Sequence, residues 1–190
     1  MNSYLSKQEL QQLGLKSFGE NVLISRKASI YKPEVISLGS NVRIDDFCIL
    51  SGGNGIIIGN FIHIAAYASL FGGAGIVMED YSGLSPRATL LTESDDFSGH
   101  SMVHPFFPLS LKPRYQSMKI ILRRFAQVGI SSTLMPGVEL GEGVAIGAHS
   151  LVKKTCQPWS IHAGMPAIKM GERSKKLLDL ERLFRPEDDT

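Results

Sequence analysis

Three things are scarce in this sequence of 190 residues: cysteine, an excess of either charge, and long apolar runs. Cys48 and Cys156 are the only cysteines, which excludes a disulfide scaffold. Twenty basic residues against 18 acidic ones leave a formal charge of +2, without the large clustered charge of a nucleic-acid binder. The nearest things to basic clusters, 112–124 and 169–176, read as solvated surface. No apolar run reaches the roughly 18 residues of a membrane helix, so no span is expected. The opening residues, MNSYLSKQELQQLG, carry no apolar signal core, and a cytoplasmic protein is expected by default. What is present suits one ordinary globular domain over 1–190: 43% hydrophobic and 20% charged residues. Glycine is plentiful at 19, often in GG or GxG strings, which points to many tight turns and to a repeat.

The repeat is there. Leu38, Ile44 and Leu50 stand six apart, and Ile58, Ile64, Leu70 and then Met78, Leu84, Leu90 repeat that spacing at intervals of twenty. Phe18, Ile24 and Ile30 fit one step earlier, and Leu122, Val128, Leu134, Leu140, Ile146 and Val152 form an unbroken run of sixes. Four residues after these come smaller or β-branched ones, such as Val42, Cys48, Ala68, Ala88, Ser132 and Ser150. A period of six does not hold one face of a 3.6-residue helix, but it suits one short strand and one turn. Three such units close a triangular coil of about 18 residues, and stacked coils lie about 4.8 Å apart. The fold class expected is therefore all-β, a parallel β-helix over 17–156. The extra residues of the longer coils fall at SGGNG (51–55) and FGGAG (71–75), which read as bulged turns at one corner.

A short helix is expected within 1–16, where Ser6 and Glu9 form a capping box and Gly14 stops it. A second helix is expected from Gly171 to Phe184, with Leu177, Leu180 and Phe184 on one stripe, Pro186 ending it and PEDDT frayed beyond. The coil pattern breaks once, over 92–117. That excursion holds three prolines, two histidines, three carboxylates and four aromatic residues, so it is the place to look for chemistry.

Read with the closing string AGMPA (163–167), the hexapeptides resemble the left-handed β-helix acyltransferases over essentially the whole chain. NVRIDDFCILSGG (41–53), IHIAAYASLFGGAGI (62–76) and SDDFSG (94–99) resemble, more narrowly, bacterial sugar acyltransferases of surface-polysaccharide assembly, above all those acylating nucleotide-linked 4-amino-4,6-dideoxy sugars. The left-handed coil, a homotrimer with active sites between neighbouring prisms, and an acyl-CoA co-substrate, acetyl-CoA or a close relative, are what this resemblance implies. It also implies a coenzyme A groove near Gly129, Gly147 and Ala148, phosphate contacts from Lys153 and Lys154 in SLVKK, and an adenine end shaped by Gly164 and Pro166, with Lys169 and Arg173 near the phosphates. No metal is expected.

O-acetylating relatives place a histidine where this chain reads Thr92-Glu93-Ser94-Asp95-Asp96-Phe97. An alcohol needs a base to attack a thioester, whereas a neutral amine is already a nucleophile. Two readings follow. In the first, an amine is acylated and Asp95, Asp96 or His100 orients it, with Glu93, Ser85, His63 and His104 at the acceptor and backbone amides near 83–85 meeting the oxyanion. In the second, an alcohol is acylated and His100 or His104 is the base. Asp95 and Asp96 also suit a bland role as caps of the loop turn, and Arg43, Asp45 and Asp46 suit surface ion pairs as well as nucleotide-sugar contacts. A zinc hydratase built on this fold needs three converging histidines, for which His63, His100 and His104 match poorly. A non-catalytic scaffold is a further alternative.

Overall fold

The computed structural model describes residues 3–184; Pro186 and the acidic end lie outside the described residues. Short strands stack into three parallel sheets, one per prism face. The first joins Ser17–Phe18, Ile36–Leu38, Ile56–Ile58, Ile76–Met78, Ile120–Leu122 and Glu139–Leu140. Ile36, Ile56 and Ile76 lie in register at twenty-residue steps, and Ile76 then pairs with Ile120 across the excursion. The eighteen-residue step appears afterwards, where Ile121 pairs with Glu139.

The β-solenoid follows from which side chains point inward. Leu38, Ile44, Leu50, Ile64, Leu90 and Val152 are all buried, and so are the smaller Val42, Cys48, Ala88 and Ser150. A large and a small residue alternate around each coil because both share one narrow interior. The six-residue spacing did not single out Ile36, Ile56, Ile76 and Ile120, which are also buried and fill the same interior. The extra residues of the longer coils turn a corner as expected. Gly53 has φ +52, and a Cβ there would stand 2.1 Å from the Gly72 carbonyl oxygen of the next coil.

Another corner carries rings in place of glycines. Phe61, Tyr81, Phe125 and Trp159 all have positive φ. Phe61, Tyr81 and Phe125 stack at centroid spacings of 5.2 and 4.9 Å, and the Trp159 ring lies tilted to Phe125 at 6.4 Å. Ring stacking offsets the backbone cost at this corner.

Helix α1 (Lys7–Gln12) has the expected capping box, with the chain reversing at Gly14. The C-terminal helix α2 (Lys176–Phe184) begins five residues later than Gly171. Ala167–Glu172 is instead a strand, folded back antiparallel on Ser160–Gly164 around the AGMPA turn. Its apolar residues Ile168 and Met170 are exposed, so no buried face marks it as a strand, and the apolar stripe of the helix does not say where the helix starts. The α2 stripe of Leu177, Leu180 and Phe184 meets the ring corner, with Phe184 edge-on to Phe61 at 5.4 Å. No helix among the described residues is long and apolar enough to cross a membrane.

Candidate active site

The excursion leaves the third sheet at Thr92. That buried side chain donates to the Phe71 carbonyl (2.8 Å) and accepts from the Ala74 amide (2.9 Å), tying the loop base to a glycine corner. Glu93–Ser94 then pairs antiparallel with Gln116–Ser117, so the loop returns beside its own exit. Between them a 3-10 turn, Leu109–Leu111, delivers Lys112 inward.

The two loop aspartates have separate tasks. Asp95 accepts from Lys112 Nζ at 2.9 Å, and Lys112 is buried. Asp96 caps the turn, accepting from the Ser98 amide (3.1 Å) and hydroxyl (2.8 Å), and these bonds hold its carboxyl below the usual range. The capping role therefore belongs to Asp96. The same Ser98 hydroxyl is hydrogen bonded to His100 Nδ1 at 2.8 Å. The His104 ring lies tilted against Phe106 at 5.2 Å and accepts from its amide at 3.3 Å. Both histidines are exposed. Glu93 accepts from the Ser117 hydroxyl at 3.1 Å.

A hollow of about 430 Å³ lies on the outer face of the second sheet. It exists because the outward column reads His63, Gly83, Gln127: a side chain at Gly83 would stand 2.7 Å from Gln127 Oε1. Asp45, His63, Tyr81, Ser85 and Gln127 line it. Asp45 accepts from Arg43 Nε at 2.7 Å and is hydrogen bonded to His63 Nε2 at 2.7 Å. Burial raises the Asp45 carboxyl, but the bonds to His63 and Arg43 outweigh it and leave the group below its ordinary value. Asp46 instead pairs with Lys27. His63, His100 and His104 thus have three separate sets of neighbours.

The oxyanion expectation needs correcting. The Gly83 amide already donates to the Ala126 carbonyl (3.0 Å) and the Ser85 amide to the Val128 carbonyl (2.9 Å). Both belong to the ladder that stacks the coils, so neither is spare; the Ser85 side chain lines the hollow.

Gly129 and Gly147 follow Ser85 in one column along the coil corner, where amides donate from Ser85 to Val128, Gly129 to Ile146 and Gly147 to His162. A Cβ on Gly129 would meet the Ile146 carbonyl at 2.6 Å, so the groove floor here is bare backbone. Ala148, Lys153, Lys154 and Pro166 are exposed. Lys169 pairs with Glu172. Arg173 donates through Nη1 to the Phe125 (2.9 Å) and Gly143 (3.1 Å) carbonyls, and burial pushes its pKa down. That side chain clamps the tail to the coils. Both cysteines are buried, and burial pushes each thiol up to about 11, far from a nucleophilic thiolate. Sequence reasoning missed Lys112 and Gln127. Only the turn string LSLKP hinted that Lys112 is held, and nothing hinted at its burial.

No protein-family model matches the chain. The chain is 43% identical over 185 residues to dTDP-4-amino-4,6-dideoxy-D-glucose acyltransferase of Escherichia coli, covering 97% of this chain and 96% of that one. The chain belongs to the nucleotide amino-sugar N-acyltransferases. AntD, an N-acyltransferase from Bacillus cereus solved with dTDP and 3-hydroxybutyryl-CoA, superposes with a TM-score of 0.95 at 46% identity over the full length of both chains. A serine-to-cysteine variant of AntD, solved with dTDP-4-amino-4,6-dideoxyglucose and coenzyme A, superposes at 0.93, covering 97% of each chain. This N-acyltransferase therefore uses acyl-CoA and acylates an amine on a nucleotide-linked sugar, the first of the two chemistries the loop allowed. The O-acetylating, hydratase and scaffold alternatives are set aside.

Proposed function

We propose that this N-acyltransferase transfers acetyl, or a close acyl group, from coenzyme A to the 4-amino group of dTDP-4-amino-4,6-dideoxyglucose, in the cytoplasm, for surface polysaccharide. The observation that carries this reading is the Escherichia coli relative acting on that sugar at 43% identity across the chain. Thiol release from acetyl-CoA, measured with this sugar, with other nucleotide amino sugars and with hydroxylated sugars, tests it. Turnover on the hydroxylated sugars alone overturns it.

Asp95 accepts a hydrogen bond from the amine and points its lone pair at the thioester carbonyl. The C–N bond forms, the C–S bond breaks, and the proton lost from nitrogen leaves with the coenzyme A sulfur. The Ser85 hydroxyl donates to the carbonyl oxygen as charge grows there. No acyl-enzyme forms, in keeping with the two buried thiols. Ser85 follows Gly83–Leu84 on the prism, and Asp95 follows Glu93–Ser94 in the excursion. The reading includes a homotrimer in which one chain offers Ser85 and its neighbour Asp95. Exposed Phe47 and Tyr67, stacked at 5.0 Å, support a contact between copies. Light scattering is expected to return three chains; a stable species of 20.8 kDa at micromolar concentration overturns the assembly.

Lys153 and Lys154 meet the coenzyme A phosphates in this reading. The double substitution Lys153→Ala, Lys154→Ala is expected to raise the coenzyme A Kd about tenfold and to flatten its salt dependence, read by isothermal titration. Unchanged affinity refutes the phosphate role.

A further inference from the structure

Lys112 is the one charged residue among the described ones that is buried, at 7% exposure. An ammonium taken out of water is costly unless paired, and this one has two neighbours. Asp95 Oδ1 accepts from it at 2.9 Å, and the Tyr115 ring lies 5.2 Å away. The lysine is itself fixed. Its amide donates to the Leu109 carbonyl (2.9 Å), its carbonyl accepts from Tyr115 (3.1 Å), and the Leu111 carbonyl beside it accepts from Met102 (2.9 Å). The Asp95 side chain keeps 23% of its surface open. A carboxylate gripped at one oxygen by a rigid donor, and open elsewhere, has lost most of its rotational freedom.

Resting on the reading of Asp95 as the group that orients the amine, we propose that Lys112 is a positioning residue for the acyl transfer, fixing the Asp95 carboxylate in the orientation the acceptor amine meets. Tyr115 completes the seat. Burial, then the Glu93 and Asp95 charges, raise its phenol above the ordinary value, so it stays neutral beside the pair.

A second account makes the ion pair a mere strut that holds the loop together. The two differ in kinetics. On dTDP-4-amino-4,6-dideoxyglucose and acetyl-CoA, Lys112→Met in the full chain is expected to lower kcat about 10- to 100-fold, the scale of a small misplacement of a reacting group, with KM for acetyl-CoA nearly unchanged. Lys112→Arg is expected to recover most of that loss. Adding Lys112→Met to Asp95→Asn is expected to cost nothing further, because a residue acting through Asp95 has nothing left to position. Lys112→Gln, neutral but still a donor, carries the same expectations should Lys112→Met not fold. The proposal is overturned if Asp95→Asn is slow while the neutral Lys112 variants turn over normally, or if the losses multiply. Asp95→Asn with normal kcat strikes the Asp95 reading itself and the proposal with it, and that single variant tells the two failures apart.

Discussion

Asp95→Asn is expected to lower kcat about 10²-fold, near the lower end of what positioned acid–base help is worth, while coenzyme A binds almost as before. The substitution keeps the shape and removes the charge. The new amide presents a donor to Lys112 Nζ, 2.9 Å away in the native pair, so the side chain either turns its oxygen to the lysine or leaves the buried ammonium unpaired. In both cases the acceptor amine loses an anionic partner. His100→Ala is expected to cost far less, because His100 is exposed and bonds to Ser98. Asp96→Asn is expected to loosen the turn without removing the reaction, since that carboxylate is occupied by Ser98. Steady-state kinetics on the three variants decides. Abolished turnover in His100→Ala, with both aspartate variants near wild type, replaces this mechanism with one based on a histidine.

Gly53→Ala is expected to destabilise the protein by about 4 kcal/mol, at the upper end of single substitutions. Two costs combine. Gly53 has φ +52, where a side chain costs of order 1 kcal/mol. The added Cβ would also stand 2.1 Å from the Gly72 carbonyl oxygen and 2.6 Å from Gly73 Cα. Those atoms are backbone of the next coil, so the coils themselves must part. Gly171→Ala is the control: no atom lies within 4 Å of its would-be Cβ, and the melting midpoint is expected to move little. Guanidinium unfolding of both variants checks this. A Gly53→Ala midpoint equal to wild type would show that the corner yields without cost.

The solenoid was legible because its cause is local. The larger inward residue of each coil side is apolar, so the spacing of Leu122 to Val152 reports the coil directly. The N-terminal cap was legible for the same reason, since Ser6 and Glu9 satisfy each other within one turn. The tail hairpin was not: it pairs locally, but Ile168 and Met170 of Ala167–Glu172 are exposed, so no buried face marks that strand in the sequence. In the site, the sequence pointed to Asp95 and Asp96 together. Their division needed Lys112, seventeen residues on, whose burial comes from the way the loop folds back. The hollow beside His63 arises where Gly83 lines up with Gln127 across forty-four residues, a register set by the whole excursion.

The two ends of the prism are closed differently from its middle. At one end α1 brings Leu10 over the first coil, and the Leu5 amide donates to the Ile24 carbonyl at 2.9 Å. At the other, Ser160–Gly164 pairs with Ala145–Ile146 and is itself covered by Ala167–Glu172. A solenoid has no natural stopping point: any bare terminal coil is a row of unpaired strand edges that another molecule can continue. α1 and the antiparallel hairpin interrupt the parallel stack at its two ends, which blunts such growth there.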